Sequence, residues 1–252
     1  EEERTALVGT LIARNDVEVT LSAPRLVARH LAILAMTGGG KTVAARRIIR
    51  ELIGHNYPLL ILDPHGDYIG LAKCHEMLQE EAPGCQIKLF YPELLMQNAG
   101  EVLIEKVIDQ MTDGLSEPQS DYLRSVFNSL PAAEGEAAID YIERLIKRAE
   151  QDAAGSSNKR QIPTIYAARR ALRIVHNRLS GMRRTSEMMR GSKKLKDLPF
   201  EPLPNPFSLP EEIIHPGQVS ILYLGGYDHI TQCSIAAITL ETLFEFRANL
   251  TG

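Results

Sequence analysis

Lys41 and Thr42 follow a glycine triplet, Gly38-Gly39-Gly40, at the end of the stretch Leu31–Thr42 (LAILAMTGGGKT). That order of residue types suits one kind of chemistry, the grip on a chain of phosphates. Glycines reach backbone angles closed to other residues, so successive N–H groups can converge on phosphate oxygens. A helix starting near Lys41 would add the positive end of its dipole at the same point. The Lys41 ammonium can reach β- and γ-phosphates, and the Thr42 hydroxyl can join the shell of a Mg²⁺ ion. The expected nucleotide contacts are therefore Thr37, Gly38, Gly39, Gly40, Lys41, Thr42 and Val43, with ATP and Mg²⁺ as the ligands. One position departs from G-x-x-x-x-G-K-[ST]: Ala35 stands where the first glycine belongs. Alanine is the smallest replacement and needs only an ordinary φ there.

A second candidate lies in Leu59–Tyr68 (LLILDPHGDY). An acid at the C-terminal end of a buried parallel strand sits where open α/β sheets bind ligands, so Asp63 could touch Mg²⁺ or its waters. The same acid can instead cap the sharp turn Pro64-His65-Gly66-Asp67-Tyr68, with His65 merely packed. No glutamate stands next to Asp63, although many motor ATPases place a water-activating carboxylate directly after the metal acid.

Elements must hold these residues in place. Leu31–Met36 reads as a buried strand, and VAARRIIRELIG after it as an amphipathic helix. Ala45, Ile48, Ile49, Leu52 and Ile53 share one face, Arg46, Arg47 and Arg50 face away, and Gly54 stands at the C-cap position. Leu59–Leu62 is then a second strand, and the three elements form a right-handed βαβ unit by default. Further strands are expected at Gln86–Phe90 and Val219–Leu224, with a helix over Thr231–Arg247. Thr5–Ala13 and Val17–Leu21 alternate around Asn15-Asp16, which predicts a hairpin.

Residues 101–192 are helical in pattern. One helix has a clear start, with Ser116 as N-cap, Pro118 in the first turn and Gln119 completing a capping box. Gly155–Asn158 is an expected break, and Leu198–Pro210 an expected proline-rich linker back to the sheet. The expected organisation is the end of a β module over 1–27, an α/β core over 28–100 and 199–252, and a helical insertion over 101–198.

From Lys159 to Lys196 there are twelve Lys and Arg and a single acid, Glu187. In a chain of net charge −4 this is a strong local asymmetry. Arg169, Arg170 and Arg173, with Arg178, Arg183 and Arg184 beyond, could lie along a phosphate backbone and release its counterions. A solvated helix face or a surface that meets acidic patches on another subunit would show the same run. Tyr166 is the only aromatic residue interleaved with it, so nothing suggests base reading.

The whole chain sets bounds on these readings. At 252 residues, 24 % charged and 44 % hydrophobic, it can bury one large core or a core plus a subdomain. No apolar run approaches the roughly 18 residues needed to span a bilayer. The acidic start EEERTALVG is not a signal peptide, and it lacks an initiator Met, as a processed or cut-down chain would. Cys74, Cys85 and Cys233 have no C-x-x-C spacing and read as reduced packing cysteines of a cytoplasmic protein.

The pair AMTGGGKT and DPHGDY, one βα unit apart, resembles the HerA branch of the HerA/FtsK superfamily of hexameric DNA-pumping ATPases. Their usual second motif is D-P-H-G-E-Y, so Asp67 is a conservative departure. ARHLAIL and GQVSILYLGGYD extend the resemblance, which covers 28–68 and 206–247 well and the helical insertion weakly. It implies a RecA-like P-loop core preceded by a small β-barrel, of which the hairpin would be the remnant. It also implies ATP hydrolysis coupled to movement along double-stranded DNA in a homo-hexameric ring, often with a NurA-type nuclease. Lys41 and Asp63 would be catalytic, Thr42 and Asp63 would hold the metal, and Arg29 matches a family arginine near the nucleotide. Two other functions stay open: a nucleotide-gated ring scaffold for a nuclease or defence effector, and a secretion or conjugation ATPase. No apolar strand here ends in Asp-Glu or Glu-Glu. The resemblance therefore implies a fragment of a longer ATPase that binds nucleotide but hydrolyses it slowly.

Overall fold

The computed structural model describes residues 4–74, 80, 82–92, 101–112, 114–192, 195, 197–202 and 209–250. In chain order the elements are β1 (Thr5–Leu11), β2 (Arg14–Ser22), α1 (Ala23–Ala28), α2 (Lys41–Gly54), β3 (Leu59–Asp63), a 3₁₀ turn (Ile69–Cys74) and β4 (Gln86–Tyr91). Then follow α3 (Glu101–Met111), α4 (Glu117–Ser129), α5 (Ala138–Gly155), α6 (Ile162–Arg190), β5 (Phe200–Pro202), α7 (Leu209–Ile213), β6 (Gln218–Tyr223) and α8 (His229–Leu250). They form two compact units. The first comprises Glu1–Phe90, Leu198–Glu201 and Glu211–Tyr223; the second comprises Tyr91–Asp197, Pro202–Pro210 and Leu224–Gly252.

In the first unit β3, β6, β4 and β5 lie side by side in that order, with β6 parallel to both β3 and β4. β6 is buried from Gln218 to Leu222, which is why VSILYL reads as a continuous apolar run rather than an alternating one. Gly217, at φ +72°, enters this strand so close to the α2–β3 loop that an added Cβ would stand 2.5 Å from Asn56 Oδ1. On α2 the 3.6-residue period buries Ile48, Leu52 and Ile53. Ile48 and Leu52 cluster with Ala23, and Val8, Leu26, Ile33, Tyr57 and Leu59 pack around them. Each buried aliphatic side chain contributes about 1.5–3 kcal/mol.

Four sequence expectations for this unit are corrected. Leu31–Met36 makes no strand: β3 ends the row of described strands with β6 as its partner, and Leu34 and Met36 are 92 % and 88 % exposed. An apolar run reports a wish for burial, but a strand exists only where a neighbour takes its hydrogen bonds. The hairpin turns at Ile12-Ala13 rather than Asn15-Asp16, with Leu11 opposite Arg14. Arg14 and Asp16, two apart on one face of β2, bind each other through bonds of 2.9 and 2.7 Å, so the acid serves the strand. The left-handed residue after α2 is Asn56, at φ 63°, instead of Gly54, which stays helical. Arg47 does not face away from the fold: it pairs with Glu51 at 2.8 Å and donates to Leu7 O at 3.0 Å.

The second unit is helical. Ile104, Ile108, Met111, Leu123, Ile142, Leu145, Leu172, Leu179 and Met182 make its core. Gln119 Oε1 accepts from Ser116 N at 3.0 Å, completing the expected capping box at the start of α4. The expected break ends α5 at Gly155. The carbonyl of Met111, the last residue of α3, accepts from Arg178 Nη1 at 2.6 Å, a cation at a helix C-terminus where the dipole favours it. A polar hollow of about 720 Å³ lies among α4, α5 and α6, with Tyr122 donating to Asp152 at 3.0 Å on its wall. Lys193, Lys194 and Lys196 of the basic run, and residues 203–208 of the proline-rich linker, lie outside the described residues.

At the start of α8 Asp228 accepts from Thr231 Oγ1 at 2.6 Å and from Thr231 N at 3.1 Å. The Thr231 hydroxyl, opposed by modest burial and helped by the Thr231 and Ile230 amides and the charge of Arg178, holds its carboxyl below the usual aspartate range. A depressed folded value means that this cap stabilises the helix above the unfolded pKa of about 3.9. The contribution is lost as pH falls through the folded value. An NMR titration of the Asp228 carboxyl should give a midpoint below the unfolded range, with Thr231 and Gln232 amide protection fading together with it. A midpoint at or above the unfolded range would refute the cap's part in acid stability.

Candidate nucleotide-binding site

The glycine loop takes the shape its residues allow. Gly38 and Gly40 both have φ +80°, a region in which side chains with a Cβ are strained. Gly39 closes the turn by donating to Met36 O at 2.9 Å. A Cβ on Gly39 would stand 3.0 Å from that oxygen and 3.1 Å from the Ala35 Cβ. The Ala35 departure is thus accommodated by an absent side chain opposite it. Gly40 is the N-cap of α2, and Ala44 N donates to Gly40 O at 2.9 Å. The N–H groups of Lys41, Thr42 and Val43 precede that first helical bond, so they have no partner inside the helix and lie where an anion is favoured. Lys41 and Val43 are exposed and Thr42 half-buried.

The second motif forms a turn built on Asp63. Its carboxylate is 1 % exposed; Oδ1 accepts from Gly66 N at 2.8 Å and Asp67 N at 2.9 Å, and Oδ2 from Tyr68 N at 2.8 Å. Gly66, at φ +79°, lies against Tyr223, whose ring would be 3.2 Å from an added Cβ. Burial, then the charges of Asp67 and Asp63, push the Tyr68 phenol up. Burial, then Asp63, does the same to Tyr223. Arg46, on α2, donates to Asp67 O and so ties this turn to the helix that carries Lys41 and Thr42. His65 is exposed rather than packed. Arg29 stands exposed at the C-cap of α1.

Sequence reasoning missed the work done by the flank of α2. Leu7 donates to Glu51 Oε2 at 3.0 Å while its carbonyl accepts from Arg47. One turn further on, His55 Nε2 meets Thr5 O at 2.8 Å. Side chains of α2 therefore take the backbone bonds of β1 as a neighbouring strand would. The signal was the opposite charges of Arg47 and Glu51 at i and i+4.

In the second unit the basic residues separate into two sets. Arg169 and Arg173 both reach Glu150 of α5, at 3.4 and 2.7 Å. Arg169 also stacks 4.9 Å above the Tyr166 ring centre, with its Nε buried and without a hydrogen-bond partner among the described residues. Arg170 and Arg184 are exposed on α6 and pair with no acid among the described residues.

The family model for the central domain of the helicase HerA matches residues 6–243. This chain belongs to that family. A probable DNA double-strand break repair helicase HerA of Methanocaldococcus jannaschii is 47 % identical over 64 residues, which are 25 % of this chain and 13 % of the relative. The DNA double-strand break repair helicase HerA of Pyrococcus furiosus is 43 % identical over 65 residues, 25 % of this chain and 12 % of the relative. A probable helicase of M. jannaschii is 28 % identical over 166 residues, 64 % of this chain and 30 % of the relative. The matched stretches thus span less than a third of these relatives. Both the fold, an α/β unit with a parallel sheet, and the glycine loop at a helix start suit the P-loop ATPase core that this family membership indicates.

Proposed function

We propose that this chain forms the nucleotide-binding core of an ATP-driven motor that moves along double-stranded DNA. The observation that carries it is the cradle at the start of α2. Two left-handed glycines, three helix N-terminal amides, the Lys41 ammonium and the Thr42 hydroxyl stand in consecutive positions. Bound there, ATP would rest its phosphates on Lys41 and on the amides of Thr37 to Val43 other than Gly39, whose N–H is held by Met36 O, and Mg²⁺ would supply charge neutralisation at the leaving phosphates. Among the described residues no group of three or more His, Cys, Asp or Glu comes together. The ion would therefore rest on phosphate oxygens with one or two protein partners, Thr42 first, as Mg²⁺ commonly does. Asp63 would serve this site by building the turn beside it, and the exposed Arg29 would bring positive charge to phosphates.

Family membership and the likeness to DNA double-strand break repair helicases support DNA as the substrate and end repair as the setting. A RecA-like core, a preceding β-barrel, a homo-hexameric ring and a NurA-type nuclease partner belong to the same proposal, on the motif resemblance. No helix among the described residues is long and apolar enough to cross a membrane. ATP turnover with and without double-stranded DNA tests the reading. DNA stimulation is the expected result; turnover indifferent to DNA would favour the ring scaffold that binds nucleotide to organise an effector.

DNA contact by the insertion is assigned to the outer face of α6. Arg170 and Arg184 lie four turns apart on it, whereas Arg169 and Arg173 are engaged with Glu150. Changing Arg170 and Arg184 to Gln should weaken binding to every DNA sequence alike. It should also lower the slope of log affinity against log salt by up to about two, at roughly 0.9 per phosphate contact. An unaltered slope would remove DNA from this face and leave it to a subunit contact or to solvent.

A further inference from the structure

The two acids of the DPHGDY turn divide its work in a way the sequence does not show. Asp63 spends its carboxylate on the protein's own backbone. Three N–H groups fill three of its roughly four acceptor positions, and at 1 % exposure an ion could reach the fourth only by opening the turn. Asp67 is the reverse case. Its backbone is fixed on both sides, N–H to Asp63 Oδ1 and carbonyl to Arg46, while the residue is exposed.

Arg46 also fixes the peptide that carries this carboxylate. Arg46 and Thr42 are i+4 and i on α2, hence neighbours on one helix face, and helical side chains lean toward the N-terminus. The Asp67 peptide is therefore tied to the helix face that also carries Thr42.

We propose that Asp67, and not Asp63, is the carboxylate this site offers to the Mg²⁺ of a bound nucleotide, through one of the ion's waters. Mg²⁺ keeps several waters when it binds phosphates, so a carboxylate at the rim can hold the ion without entering its first shell. Asp63 then acts as a positioning residue that sets the Asp67 amide. The proposal rests on the nucleotide reading above.

The test is the affinity of the 252-residue chain for a fluorescent ATP analogue, measured in Mg²⁺ and in EDTA. Mg²⁺ should tighten binding by the unaltered chain. Asp67→Asn should lose about 10- to 100-fold of that tightening, the usual cost of removing an outer partner of a metal. Its affinity in EDTA should not fall and its melting temperature should stay unchanged, and Asp67→Glu, which keeps the charge, should restore the tightening. Full tightening in Asp67→Asn, or an equal loss in Mg²⁺ and EDTA, would overturn the assignment. Failure of the nucleotide reading itself looks different: no binding by the unaltered chain, or binding indifferent to Lys41→Ala, would overturn both.

Discussion

In the longer ATPase that the motif resemblance implies, Lys41→Ala is expected to lower ATP hydrolysis by at least ~10²-fold, the scale of losing one preorganised electrostatic stabiliser at a transferring group. The amides at the start of α2 would survive the change, since Gly38 and Gly40 set their geometry without any side chain. What disappears is a mobile cation able to follow the γ-phosphate as charge shifts between ground and transition state. The loss should therefore fall mainly on kcat, with a smaller change in nucleotide affinity. Lys41 is exposed, so the melting temperature should not move, and a fall in activity cannot be put down to misfolding. Steady-state ATP turnover with Lys41→Arg alongside, which keeps a charge but not its reach, checks the point. Hydrolysis unchanged in Lys41→Ala would refute the assignment of the loop.

The second large effect is structural. Asp63→Ala should destabilise the first unit by about 4 kcal/mol, because three backbone N–H groups lose a buried, charged acceptor at once. Hydrogen bonds to a charged group contribute about 1.5–3 kcal/mol each, and orphaned buried donors add their desolvation, though such terms do not sum in full. Asp63→Asn should cost about half as much: its amide oxygen can keep the Gly66 and Asp67 donors, but its NH₂ would face the Tyr68 N–H. Hydrogen exchange of β3 and β6 amides reads this out unit by unit. About 4 kcal/mol appears there as roughly a thousandfold faster exchange wherever the amides exchange through unfolding of the unit. A cost under about 1 kcal/mol for the alanine variant would mean that the turn holds its shape without the acid.

The sequence by itself determined the local geometry on which the site depends. Three glycines before Lys41 dictate positive φ and a helix start, since only residues without a Cβ take those angles cheaply, and Gly38 and Gly40 adopt them. The period of VAARRIIRELIG was enough to bury Ile48, Leu52 and Ile53, and VSILYL was enough to place a parallel strand buried up to Leu222. The tertiary structure alone decided who pairs with whom. Leu31–Met36 has the composition of a strand but no ladder, because pairing depends on a neighbour and not on the run itself. Arg47 and Glu51 look like a solvated helix pair until β1 lies beside them and Leu7 takes both. Arg169 and Arg173 look as available as Arg170 until α5 brings Glu150 within reach. The string DPHGDY points to Asp63 as the metal acid, but the fold buries that residue against three amides and leaves Asp67 exposed. Backbone angles and burial periods are properties of consecutive residues; partners come from residues far apart in the chain, and no local pattern encodes them.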